Sequence, residues 1–217
     1  MPPITLYTHP WSRGRMARWM LEECGADYEV QVLHYGTSMK APAYTALNPM
    51  GKVPALRHGD TVITETAAIC AYLADQFPAR RLAPPVDSAE RGIYYRWLFF
   101  AAGPVEAAVT AKSLGLLAPE DKRAQAGYGS YGDVIDTLEF AVRQALARGG
   151  FLCGDFSAAD LYLAAQLNFG MQFNTIEKRP LFEQYAQPIG ARTAGVKAAA
   201  LDDQLAEQLK AAGGGPG

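Results

Sequence analysis

Apolar and polar positions alternate along Ile4-Thr5-Leu6-Tyr7-Thr8 and again from Tyr28 to Leu33, the period of two that marks β-strands. Between them Met16, Ala17, Met20 and Leu21 recur at helical spacing, which predicts a helix from about Arg13 to Cys24, with Ser12 at its head and Gly25 as its stop. A short helix is expected over 40–47, ended by Asn48-Pro49. Val53-Pro54 then opens a hairpin that turns at Gly59-Asp60 and returns through Thr61 to Ile63. A helix from Glu65 to Phe77 follows, with Ile69, Tyr72, Leu73 and Phe77 inward. The order is β-α-β-α-β-β-α. From Ser88 onward the pattern is helical only, over about 88–117, 120–148, 157–171, 180–192 and 193–211. The fold class is therefore α/β plus all-α: residues 1–80 as the first domain, 81–87 as a proline-containing linker, 88–211 as a helical domain and 212–217 as a disordered, glycine-rich tail.

Two stretches carry chemical meaning beyond folding. At Val53-Pro54 a cis peptide costs only ~0.5–1 kcal/mol over trans, and a cis bond there would turn the N–H and C=O of Val53 outward, ready to pair with an extended peptide. Twelve positions on, Glu65-Thr66 begins a helix, whose free N–H groups favour a carboxylate. A small acidic peptide is the ligand that this stretch suggests. Ser157-Ala-Ala-Asp160 reads instead as a folding motif, a capping box with Phe156 and Leu161 at the staple positions.

Composition narrows the partners. A net charge of −2 with both signs interspersed and no basic run argues against nucleic acid. The most apolar stretch, Ile93 to Ala111, is interrupted by Arg96, Pro104 and Glu106, and the first residues lack a signal-peptide layout, so a non-secreted, cytoplasmic protein without a membrane span is expected. Cys24, Cys70 and Cys153 are widely spaced in apolar surroundings and read as reduced, buried thiols. His9, His34 and His58 do not stand at metal-ligand spacing, so no metal is expected.

In their order and spacing, Thr8-His9-Pro10-Trp11-Ser12, Asn48-Pro49-Met50-Gly51-Lys52-Val53-Pro54, Glu65-Thr66 and Ser157-Ala-Ala-Asp160 resemble the cytosolic glutathione transferase family, of the bacterial, serine-dependent kind, over nearly the whole chain. The resemblance implies a thioredoxin-like first domain that binds glutathione as co-substrate and a helical second domain that supplies an apolar pocket. It places the cysteinyl part of glutathione on the Val53 backbone beside a cis Pro54, the γ-glutamyl end on Glu65 and Thr66, and the glycine carboxylate near Lys40 and Lys52. Thr66 stands where the family usually has serine, and keeps the hydroxyl.

The same resemblance makes Ser12 the residue that activates the thiol, with Tyr7 as the alternative. Position 12 is where thioredoxin-like oxidoreductases carry a nucleophilic cysteine, so disulfide reduction is disfavoured here. For the second substrate, Trp11, Phe99, Phe100, Gly103, Met171 and Phe173 are the candidate pocket residues, and Pro104 is expected to kink its helix near the pocket floor. The implied activity is conjugation of glutathione to small hydrophobic electrophiles, a detoxifying reaction, by a homodimer packed through the helices that start at Glu65 and Ser88. Two other readings stay open. One is a binding or scaffold protein on the same fold. The other is a glutathione-dependent isomerase or dehalogenase, although the isomerase run Ser-Ser-Cys is absent at Trp11-Ser12-Arg13.

Overall fold

The computed structural model describes residues 2–215, and contacts divide the chain into two compact units, Met1–Arg80 with Arg192–Gly217, and Arg81–Ala191. In the first, strands β1 (Ile4–Thr8), β2 (Glu29–Val32), β3 (Ala55–His58) and β4 (Thr61–Thr64) form one sheet in the order β2-β1-β3-β4. Helices α1 (Gly14–Cys24), α2 (Pro42–Thr45) and α3 (Thr66–Gln76) complete the expected β-α-β-α-β-β-α order, the thioredoxin-like arrangement. β1 pairs parallel to β2 and antiparallel to β3, and β3 antiparallel to β4. Leu6, Met20, Leu21, Leu56, Ile69 and Leu73 are fully buried and form the core between sheet and helices.

Gly14 fixes how closely α1 approaches the sheet. A Cβ at that position would lie 1.9 Å from Thr8 Oγ1, so any larger residue would push the helix start off β1.

The charges of α1 run against its own dipole. Arg13 and Arg15 lie at its start and Glu22 and Glu23 at its end, the reverse of what the dipole favours. The terminal helix α9 (Thr193–Ala211), which the sequence pattern groups with the other late helices, lies antiparallel on α1 and, with the residue before it, answers the charges of Arg15, Arg18, Glu22 and Glu23. Arg192 grips the Glu23 carboxylate with two bonds of 2.7 and 2.9 Å, and Lys197 pairs with Glu22 at 2.7 Å. Arg18 pairs with Asp202 at 2.9 Å, both buried, and Arg15 pairs with Asp203 at 2.6 Å near the surface. Of the tail expected to be disordered, Pro216 and Gly217 lie outside the described residues. Gly213 and Gly214 close α9 by donating to the carbonyls of Lys210 (3.0 Å) and Leu209 (2.8 Å).

The second unit is helical: α4 (Ala89–Phe100), α5 (Glu106–Ser113), α6 (Tyr131–Ala147), α7 (Ala158–Gln172) and α8 (Pro180–Gly190). The expected single helix over 88–117 contains a wider π-turn at Ala101–Val105. Pro104 has no amide hydrogen to give the carbonyl four residues back, so the α-ladder opens there and resumes at Glu106. The helix expected over 120–148 starts only at Tyr131. Glu120–Gln125 forms a tight 3₁₀ segment, Gly129 follows at φ 68°, and Ser130 caps α6 by accepting the Asp133 N–H at 3.1 Å. No helix among the described residues is long and apolar enough to cross a membrane.

The capping box forms as expected, and Asp160 does more than cap. Its buried carboxylate accepts the N–H of Leu152 (2.8 Å), the N–H (2.9 Å) and hydroxyl (2.7 Å) of Ser157, and the Tyr185 hydroxyl of α8 (2.8 Å). Burial pushes its pKa up while these donors pull it down. Asp160→Ala strands several buried donors at once and is expected to cost about 3 kcal/mol or more, read by urea denaturation.

Asp202 gives a pH-dependent counterpart. Burial raises its carboxyl to about 6, with Arg18 opposing the rise. Because this value lies above the ~4 of an unfolded aspartate, the native state holds the proton more tightly. The contribution is therefore full below about pH 4 and is lost as the pH rises through about 6. The difference in unfolding free energy between wild type and Asp202→Asn is expected to fall by about 2–3 kcal/mol between pH 4 and pH 7.

Candidate functional site

The strand pairings decide which loops meet. Tyr7 lies opposite Ala55, Ala55 opposite Thr64, and Thr8 beside Val32. The residues after β1, after β2, before β3 and after β4 therefore leave the sheet at one end. That brings Trp11-Ser12, His34-Tyr35, Val53-Pro54 and Glu65-Thr66 to the same edge.

The Val53-Pro54 peptide is cis. Among the described residues neither the N–H nor the C=O of Val53 has a hydrogen-bond partner, whereas the carbonyl just before it is doubly held. Lys52 C=O accepts the Tyr44 hydroxyl at 2.6 Å and the Asn48 side-chain amide at 2.8 Å. Asn48 also accepts the Met50 N–H at 3.1 Å. Gly51 sits at φ 55°, and a Cβ there would lie 2.6 Å from the Met39 carbonyl, so the loop requires glycine. Lys40 reaches into this loop and donates to the Met50 carbonyl at 2.9 Å, and the Lys52 side chain is exposed.

Glu65 is exposed and precedes the first turn of α3, in which Thr66 is buried. The N–H groups of Thr66, Ala67 and Ala68 have no carbonyl behind them, so the helix offers an anion three donors and the positive end of its dipole. Glu65 holds φ 65° and ψ 118°, a conformation that side-chain-bearing residues rarely adopt.

Ser12 does not itself cap α1. That position falls to Arg13, which gives no side-chain cap. The Ser12 hydroxyl lies just outside, accepts the Gly14 N–H at 3.0 Å and donates to the His9 carbonyl at 2.7 Å. Tyr7 is half-buried with its ring 5.6 Å from that of Tyr44, and its hydroxyl has no hydrogen bond among the described residues.

Sequence spacing did not reveal the aromatic cluster beside Ser12. The His9 ring lies 5.2 Å from Trp11, 4.7 Å from Tyr35 and 6.1 Å from His34. The Tyr35 hydroxyl donates to the Trp11 carbonyl at 3.3 Å. His9 is 2% exposed, its Nδ1 has no partner, and burial followed by the nearby His34 lowers its pKa, which favours the neutral ring. Parallel pairing of β1 with β2 brings these residues together, and their linear separation gives no hint of it. The three thiols are chemically quiet. Burial pushes Cys24 and Cys153 up to about 12 and Cys70 higher still.

The remaining candidates belong to the helical unit. Phe99 and Phe173 are exposed, Phe100 is half-buried, Gly103 faces open space in the π-turn, and Met171 is buried in α7. Next to the π-turn, the half-buried Glu106 carboxylate accepts the Tyr162 hydroxyl and the Gln166 amide, the latter at 2.8 Å. The described residues contain no group of three or more His, Cys, Asp or Glu side chains able to hold a metal.

The strain at Glu65 is open to measurement. Glu65→Gly is expected to raise stability by about 1 kcal/mol, because glycine adopts this conformation freely, while Glu65→Ala brings no such gain. Urea midpoints of the two variants compare them directly.

Residues 10–76 match the family model described as glutathione S-transferase, N-terminal domain. Glutathione S-transferase 1 of Zea mays is 42% identical over 77 residues, 34% of this chain, and the match spans only 36% of the maize protein's length. Glutathione S-transferase hmp2 of Hypomyces subiculosus is 30% identical over 213 residues, covering 91% of this chain and 98% of that protein. Among solved structures, a sphingomonad glutathione S-transferase complexed with glutathione superposes with a TM-score of 0.72 at 28% identity, over 92% of this chain and 98% of its own. With a relative matched over nearly its full length and the site's loops gathered at one sheet edge, this chain belongs to the glutathione S-transferase family.

Proposed function

We propose that the protein binds glutathione at this edge of the sheet and transfers its sulfur to small hydrophobic electrophiles. The observation that carries the reading is the convergence at one end of the sheet of an unpaired Val53 backbone, an anion-ready α3 start and the Ser12 hydroxyl. Val53 would pair with the cysteinyl residue as a short added strand. Glu65 would take the ammonium of the γ-glutamyl end, and Thr66 with the first N–H groups of α3 its carboxylate. Lys40 and Lys52 would face the glycine carboxylate.

In the free protein the Ser12 proton is directed to the His9 carbonyl. On binding, a rotation about one bond would turn it to the sulfur, where a donor favours thiolate over thiol. The start of α1, with Arg13 and Arg15, acts in the same direction. A thiol lowered by two units from ~8.5 is favoured by roughly 2.7 kcal/mol and becomes mostly thiolate at neutral pH. The sulfur lone pair then forms the S–C bond, and the leaving group departs with the bonding electrons of the electrophile. Positioning supplies much of the remaining rate. The apolar residues that the reading assigns to the electrophile are, each within its own unit, Trp11, and Phe99, Phe100, Gly103, Met171 and Phe173. The reading extends to a cytoplasmic, detoxifying homodimer built on α3 and α4.

A second reading of the activating group has its own support, because the Tyr7 hydroxyl has no partner among the described residues and so is available to the sulfur. An ultraviolet difference titration of bound glutathione, in wild type, Ser12→Ala and Tyr7→Phe, separates the two. The expected result is a thiol pKa about two units below that of free glutathione in wild type, returning towards ~8.5 in Ser12→Ala and unchanged in Tyr7→Phe. Loss of the shift in Tyr7→Phe alone transfers the role to tyrosine. Glutathione bound with an unshifted thiol would replace the transferase with a binding protein.

A further inference from the structure

Arg15 occupies an unusual place in the first unit, because its guanidinium touches both the loop that carries Ser12 and the terminal helix. One nitrogen, Nη1, donates to the Pro10 carbonyl at 3.3 Å, two residues before Ser12. The other, Nη2, donates to the Asp203 carboxylate of α9 at 2.6 Å and to the Ala199 carbonyl of the same helix at 3.5 Å. The loop between β1 and α1 is also held by its own short bonds, the Ser12 N–H and hydroxyl both reaching the His9 carbonyl at 3.0 and 2.7 Å, and by the Tyr35 hydroxyl on the Trp11 carbonyl at 3.3 Å. Pro10 has no N–H to anchor it, so its carbonyl is the backbone group by which this residue is tied to its surroundings, and Arg15 takes it.

The partner helix is fixed independently of this contact. The buried Arg18–Asp202 pair sets the register one turn further along α1, and the bidentate Arg192–Glu23 pair sets it at the far end. With α9 locked at those two points, Asp203 is presented to Arg15 in one place. A lone ion pair this exposed contributes little to stability. Its geometry is more informative than its strength, since a planar guanidinium fixed by a carboxylate on one side aims its other nitrogen at one carbonyl.

We infer that Arg15 and Asp203 are a positioning pair, through which the terminal helix holds the Pro10–Ser12 loop in the geometry that lets Ser12 donate to the glutathione sulfur. The inference rests on the Ser12 reading given above. It assigns α9 a part in thiol activation although α9 supplies no group that touches the ligand.

Electrostatics alone makes the opposite prediction, which gives the test its force. If Asp203 merely offset the charge of Arg15, removing it would leave more positive charge beside the thiolate and lower the thiol pKa further. If it positions the loop, removing it weakens the hydrogen bond to sulfur and raises the pKa. The experiment is the same ultraviolet titration of bound glutathione on the full chain, for wild type, Asp203→Ala, Asp203→Glu and Ser12→Ala, with thermal unfolding run alongside. Asp203→Ala is expected to raise the thiol pKa by roughly half a unit to one unit, the equivalent of weakening one hydrogen bond, with Asp203→Glu near the wild-type value and the melting temperature little changed. A lowered or unchanged pKa in Asp203→Ala, with Ser12→Ala still abolishing the shift, overturns the positioning role and leaves the Ser12 reading standing. A wild-type thiol that is not shifted, or a shift that survives Ser12→Ala, overturns the Ser12 reading and the positioning role with it.

Discussion

The antiparallel pairing of β1 with β3 is the constraint from which the candidate site follows. Had β3 run the other way, Val53 and Ser12 would leave the sheet at opposite ends, four or five residues of strand apart, or roughly 15 Å. Because it runs antiparallel, and β4 antiparallel to it in turn, three separate loops meet at one edge without any of them being long. Local bonds then do much of the holding in each loop. Asn48 and Tyr44 pin Lys52, Ser12 bonds back to His9, and the first N–H groups of α3 stay open towards the edge. The buried contacts of Leu6 and Leu56 across that pair stabilise the pairing, so core packing and site assembly are one event in this domain.

The two ends of the chain are joined by a similar economy. An isolated α1 would be a poor helix, with arginines at its positive end and glutamates at its negative end. Arg15, Arg18, Glu22 and Glu23 find their matches along α9 and the residue before it, in antiparallel order. On the proposed reading a thiolate sits beside the basic start of α1, so a charge order unfavourable to the helix would suit the site. The last helix makes that order tolerable.

Much of this was legible in the chain and some was not, for physical reasons. The strands, the stops at Gly25 and Gly59 and the Ser157 box are local, set by neighbours within a few residues, and they read directly. Pro54 was readable because proline alone makes a cis bond inexpensive. The helix expected over 120–148 starts late because the charged run Glu120–Gln125 has helical propensity but buries no residue, and Gly127 and Gly129 follow it. That His9, His34 and Tyr35 cluster was not legible, because strand pairing brings them together from separate segments. Asp203 escaped for the same reason on a longer scale, 188 residues from Arg15. The placement of Ser12 one residue outside the helix cap depends on backbone angles that no periodicity encodes.

The π-turn at Ala101–Val105 has a consequence for how this helix can vary. A π-turn holds one residue more than the α-turn it replaces, and each residue of an α-helix advances the side-chain direction by about 100°. Everything after Pro104 is thus out of phase with α4, and that phase is what aims Glu106 at Tyr162 and Gln166 of α7. Deleting Gly103, at which an added Cβ would meet nothing within 4 Å, would remove no side-chain contact, yet it would turn the whole of α5 by more than a quarter of a revolution. For this segment length is therefore a stricter inheritance than identity: substitutions at position 103 are sterically open, whereas the number of residues between Phe100 and Glu106 is not.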